Sequence, residues 1–240
     1  MTPKPSQHSS FTTTLLVVLA LTQLSSAYTT KYTWMSIYDP ASRDQYTAKQ
    51  TLTKLKGLGV TKVYVDVWNN GNLYARSGVY NRLMGYGSNP NPDYLSNVLQ
   101  AAQAVGGVDI VAWFEYGVMG CYTGSPCQYG NIARSKGWML GTDGEFTWLN
   151  PSNSQFTSFL SSMINDVKTG YSQQYACFKG VQVDDHFSVP SGLYFDGADQ
   201  AMTSLATLIS NTIGSEYFSI APATMPLARE YHSVDWPPRG

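Results

Sequence analysis

Apolar and polar positions alternate along this chain with two different periods, and the switches between them outline a series of strands and helices. "YTWMSIY" (Tyr32 to Tyr38) reads as a strand, and the helical "RDQYTAKQTLTKLKGLG" after it carries Leu52, Leu55 and Leu58 at helical spacing, with Gly57 and Gly59 to end it. "TKVYVDVW" (Thr61 to Trp68) alternates Val63, Val65 and Val67 against Tyr64, Asp66 and Trp68. The pattern continues with a helix in "DYLSNVLQAAQAVGG", a strand from Val108 to Gly117, a strand "FTWLNP" from Phe146 to Pro151, and a helix with Phe156, Phe159, Leu160, Met163 and Val167 on one face. "FKGVQVDDHFSVP" (Phe178 to Pro190) repeats the valine alternation: Val181, Val183 and Asp185 point one way, Gln182 and Asp184 the other. A helix "ADQAMTSLATLISNTIG" and a strand "EYFSIAPA" follow.

Strands alternating with helices predict a parallel sheet built from βα units, about six of them. The fold class expected is α/β, of the (β/α)8 TIM-barrel type, which typically takes about 250 residues and eight units. With 240 residues in all, and a leader to subtract, the chain is expected to hold an incomplete barrel, short at its C-terminus. Two long stretches, Asn69 to Pro92 and Val118 to Glu145, read as functional loops because they exceed ordinary connections.

Composition narrows the function. Formal net charge is −1 with no basic run, so there is no electrostatic case for nucleic acid or for an anionic membrane surface. Residues 1–27 have the order of a secretory signal: Lys4 in a polar start, apolar "LLVVLALTQL", then "SSA" before Tyr28. The apolar run is about half of what a membrane span requires. Residues 28–240 are then one secreted or lumenal barrel domain. Secretion permits disulfides, and Cys121 and Cys127 frame a loop that one could close, leaving Cys177 over.

In barrels of this type the chemistry sits where strands end. Asp66 and Trp68, Trp113 and Glu115, Trp148 and Asn150, and Asp184 and Asp185 occupy such ends. Carboxyl groups among tryptophans suit cleavage of a glycosidic bond, in which one acid protonates the leaving oxygen and an ionised one attacks the anomeric carbon or activates water. The catalytic set expected is Asp184, Asp185 and Glu115. Substrate contacts are expected from Trp34, Asp66, Trp68, Trp113, Tyr116, Trp148, Asn150 and His186. Each has a structural rival: strand-end aspartates also cap helices, Glu115 has Arg134 as an ion-pair candidate, and the tryptophans also suit a core. His186 beside two aspartates has no second histidine at ligand spacing, so neither a metal nor a cofactor is expected.

"AWFEYGVM" (Ala112 to Met119), "WLNP" (Trp148 to Pro151) and "GVQVDDHFSVP" (Gly180 to Pro190), in this order and followed by "FSIAPA", resemble the strand-end motifs of the glycosyl-hydrolase-like family 10 proteins. The resemblance runs from about Tyr32 to Trp236. It implies a (β/α) barrel that hydrolyses glycan chains, with bacterial cell-wall glycan or a related amino-sugar polymer as substrate. It also assigns Asp184 and Asp185 to the family's paired aspartates, Glu115 to its strand-three acid and Asn150 to its "NP" asparagine. The segment expected after "SVDW" to close the barrel is missing from the pattern. A carbohydrate-binding protein without chemistry, on a degenerate or truncated barrel, is the alternative. In either case the partner is an oligo- or polysaccharide.

Overall fold

In a computed structural model, which describes residues 31–125, 127–183 and 187–220, the valine-alternating segments form one five-stranded sheet. Residues 1–27, expected to be a leader, together with Asp184, Asp185, His186 and the chain after Ile220, with its "SVDW", lie outside the described residues. The sheet strands are β1 (Lys31–Met35), β2 (Val60–Asp66), β5 (Asp109–Phe114), β9 (Phe178–Val183) and β10 (Phe218–Ile220), side by side in that order. The pairs β2–β5, β5–β9 and β9–β10 are parallel. Between them run α1 (Pro40–Arg43), α2 (Gln45–Gly57), α3 (Gly78–Met84), α4 (Tyr94–Val105), α5 (Gln128–Ser135), α6 (Ser154–Ser172) and α7 (Ala198–Ile213).

Helix starts are marked by side-chain caps. Asp39, Asp44, Asp93 and Asn153 each accept hydrogen bonds from the first backbone N–H groups of α1, α2, α4 and α6, which would otherwise lack partners. The apolar stripes that follow, such as Leu52 on α2, Leu99 on α4 and Val167 on α6, join the strand residues Val63, Val65, Ile110, Ala112, Val181 and Val183 in a single core cluster. Burying that valine face turns the alternate residues to the other side of the sheet, in register. Asp66 pairs with Trp113, Trp113 with Gln182, and Gln182 with Ser219, forming one row across four strands.

The register depends on a bulge. Ile110 faces Phe178 but Ala112 faces Val181, so β9 carries one extra residue at Lys179–Gly180. Gly180 adopts φ +125°, a conformation that glycine takes readily, and it lets Phe178, Val181 and Val183 all face the core. The sheet also curls. On a flat sheet, neighbouring strands about 4.8 Å apart would separate β1 from β9 by roughly 14 Å. Yet the Trp34 indole on β1 donates a 3.1 Å hydrogen bond to Gln182 Oε1 on β9. The face carrying the polar row is therefore concave.

Two expectations are corrected. "FTWL" is not a strand of the parallel sheet. It is β8 (Phe146–Leu149), the middle of an antiparallel sheet with β6 (Met119–Tyr122) on one side and β7 (Met139–Thr142) on the other. Only Asp143 to Glu145 separate β7 from β8, and a parallel crossover requires about a dozen residues or more, so this pair can only be a hairpin. The sheet thus holds five strands among the described residues, where about six βα units are expected from the pattern. The expected loops are also structured. Asn69 to Pro92 contains a hairpin of β3 (Trp68–Asn69) and β4 (Asn72–Leu73), turned by Asn70 and Gly71 with φ of 49° and 73°. Two positive φ values are what a tight two-residue hairpin turn requires.

Cys121 and Cys127 are disulfide-bonded, and Cys177 is free and half-buried. Gly71 packs so close to the bond that a Cβ there would lie 2.7 Å from Cys127 Sγ. Because the bridge closes a loop over a sequence separation of 6, Cys121→Ser is expected to cost about 2 kcal/mol of folding stability. Urea unfolding under non-reducing conditions checks it.

Candidate active site

Three polar side chains meet where β2 and β5 end. Asp66, the last residue of β2, is fully buried, and Glu115 follows directly on β5 and is half-buried. Asn69, on the short strand just after β2, reaches back between them. Its Nδ2 donates to Glu115 Oε2 at 2.6 Å and to Asp66 Oδ2 at 3.3 Å. The two carboxyl groups are also hydrogen-bonded to each other. The valine alternation of β2 turns Asp66 to the concave face, and the parallel β2–β5 pairing brings the next strand's end alongside it.

The electrostatics follow from this packing. Burial, then the charge and hydrogen bond of Glu115, push the Asp66 carboxyl well above its ordinary range, while the backbone N–H groups of Ile37 and Trp68 pull it partly back. Burial, then its hydrogen bond to Tyr122, raises the Tyr116 phenol.

Around this centre the concave face is aromatic and amide-bearing. Trp113 stands in register between Asp66 and Gln182, and its buried indole N–H has no hydrogen-bond partner among the described residues. Trp34 stacks on Tyr64 with ring centroids 5.3 Å apart and remains 44% exposed.

Of the residues expected from the sequence, the structure thus brings Asp66 and Glu115 into contact and sets Trp113 and Trp34 on the same face. Arg134 lies exposed in the last turn of α5. Others are corrected to packing roles. Trp68 is 1% exposed, with its ring edge-on to Tyr80 and Tyr129 in the core. Tyr116 is buried with its hydroxyl on Tyr122. Trp148 is buried in the antiparallel sheet, its indole N–H spent on Asp143 Oδ2 at 2.8 Å. None of these rings offers a face to a sugar. Asn150 organises the turn into α6, its Oδ1 accepting from the Ser152 N–H at 2.9 Å. Asp184, Asp185 and His186 follow Val183 in the sequence and lie outside the described residues.

The pattern did not single out Asn69 or Tyr64 for a site role. Asn69 carried a usable signal in "VDVWNN": a buried-strand aspartate followed three residues on by an asparagine at the edge of a turn.

The glycosyl hydrolase-like 10 family model matches residues 22–208, well over half of the chain. The chain belongs to that family. No curated protein sequence matches it significantly. Among solved structures, a hypothetical protein from Ruminiclostridium thermocellum ATCC 27405 superposes with a TM-score of 0.56 at 12% identity, over 78% of this chain and 96% of that one. The chitobiase of Flavobacterium johnsoniae does so with a TM-score of 0.53 at 12% identity, over 81% of this chain and 31% of that one. At such identities the likeness is one of fold alone, and this glycosyl hydrolase-like 10 protein shares with them an α/β architecture built on a parallel sheet.

Proposed function

We propose that this protein is a secreted glycoside hydrolase that cleaves an amino-sugar or cell-wall-type polysaccharide by carboxylate acid/base chemistry. The observation that carries the reading is the pair of hydrogen-bonded acids, Asp66 and Glu115, at adjacent strand ends on a concave aromatic face. Barrel enzymes keep their chemistry at that position. The curl that lets Trp34 reach Gln182 fits strands of a (β/α)8-type barrel. Glu115, Asp184 and Asp185 form the catalytic set, with His186, Trp34 and Trp113 contacting the sugar. Family membership supports a glycan as substrate. The disulfide supports an oxidising compartment, in keeping with removal of residues 1–27 as a leader.

The test is a reducing-end assay on peptide-free cell-wall glycan with the secreted protein and its Asp184→Asn and Asp185→Asn variants. Each variant is expected to lose at least about a hundredfold in turnover. Turnover retained in both would remove the paired aspartates from the mechanism. Saturable glycan binding without product would make the protein a carbohydrate-binding member of the family.

A further inference from the structure

Two carboxyl groups in hydrogen-bonding contact cannot both stay charged without a heavy electrostatic cost, so one proton belongs between Asp66 and Glu115. The surroundings of the pair are unequal. Asp66 is 0% exposed, whereas Glu115 is only half-buried, so charge costs less on Glu115. The Asn69 amide, which serves both acids, lies 2.6 Å from Glu115 Oε2 and 3.3 Å from Asp66 Oδ2. The shorter bond is the one expected to an ionised acceptor. Asn69 is itself only 4% exposed, so its amide has little freedom to turn elsewhere.

We propose that Asp66 is a positioning residue that keeps its proton at neutral pH and donates it in a hydrogen bond to Glu115, which together with Asn69 holds Glu115 as the ionised carboxylate of the site. The inference rests on the glycosidase reading and assigns a role within it. Glu115 either attacks the anomeric carbon or takes a proton from the water that does. As the new bond to that carbon forms and the glycosidic C–O bond breaks, the leaving oxygen takes its proton from a different acid, Asp184 or Asp185. Asp66 supplies no proton to the substrate.

Among the described residues, phenols and one guanidinium lie around the pair. Tyr74 interacts with Asp66 and Tyr116 with Glu115, while Tyr38 acts on both phenols, and the Arg43 guanidinium acts on Tyr74. Burial raises Asp66, so the folded protein holds this proton at pH values where the unfolded chain has released it. The stabilising contribution is complete below the ordinary aspartate pKa and is lost as pH rises through the elevated one.

Three readouts test the assignment on the full secreted chain. With aspartate carboxyl carbons labelled, the NMR spectrum of the wild type should show a protonated-carboxyl signal from Asp66 at neutral pH, beside that of whichever aspartate serves as the proton donor. The Asp66 signal should vanish in Asp66→Asn. Loss of only an ionised-carboxylate signal in Asp66→Asn, with every protonated signal of the wild type retained, would overturn the proposal. The melting temperature of Asp66→Asn relative to wild type should rise with pH from about pH 4 upward, because Asn carries no proton to lose. In turnover, Asp66→Asn can still donate to Glu115 and should lose about tenfold or less, whereas Asp66→Ala should lose about a hundredfold. Equal losses would mean that Asp66 works as an ionised group. If the wild type cleaves no glycan, the glycosidase reading fails, and the NMR and melting data still decide where the proton is.

Discussion

Glu115→Gln is expected to lower glycan turnover by at least about a thousandfold while leaving the protein folded. Gln has the same shape as Glu, and its amide oxygen can still accept from Asn69 Nδ2, which now lies 2.6 Å from Glu115 Oε2. What disappears is the negative charge, and with it any ability to attack the anomeric carbon or to deprotonate water. The contrast with Asp66→Asn is the informative part. Both variants replace a carboxyl by an amide within the same hydrogen-bonded group, but only the one at Glu115 removes a group that must be ionised. Reducing-end kinetics with a thermal melt of each variant check the pair. Turnover of Glu115→Gln within tenfold of wild type would exclude Glu115 from the chemistry.

The largest effect on stability is expected from Gly180→Ala. At φ +125° a side chain is strained, and the added Cβ would collide with the backbone of Tyr217, the residue just before β10. A collision with backbone cannot be relieved by rotating a side chain, so either β10 moves or the bulge is lost. A cost of about 3 to 5 kcal/mol is expected, a large share of the stability of an ordinary domain. Losing the bulge has a second consequence: with one residue fewer, the side chains of β9 would change faces, and Gln182 would leave its place beside Trp113 and opposite Trp34. The denaturation midpoint in urea checks the first effect. A loss below about 1 kcal/mol would show that β10 shifts freely off β9.

Much of the molecule was legible in its residues because the signals were local. The alternation of Val63, Val65 and Val67 with Tyr64 and Asp66 identified a strand with one greasy and one polar face, and that strand carries Asp66 on its concave side. The family motifs around Glu115 marked it as an acid at a strand end, which is its position after β5. The Asn70–Gly71 and Asp143–Gly144 pairs were hairpin signals of the same local kind. Reading the second would have removed Trp148 from the barrel strands.

The rest was decided by contacts between residues far apart in the chain. Trp68 and Trp113 are both tryptophans near strand ends, yet one lies within the core between Tyr80 and Tyr129, and the other stands beside Asp66. No periodicity separates them, because the difference depends on which surface each strand end meets. The bulge at Gly180 is a residue count between two strands, and a single strand cannot display it. Asp66 and Glu115 are separated by the whole crossover from β2 to β5, and it is the parallel pairing of those strands that turns two acids in the sequence into one hydrogen-bonded pair. The sequence by itself determined the strands of the parallel sheet, their buried faces and the acids at the ends of β2 and β5. Only the tertiary structure decided which acid is buried, which amide serves both and which aromatic rings remain open, because burial and proton sharing are properties of the assembled strands.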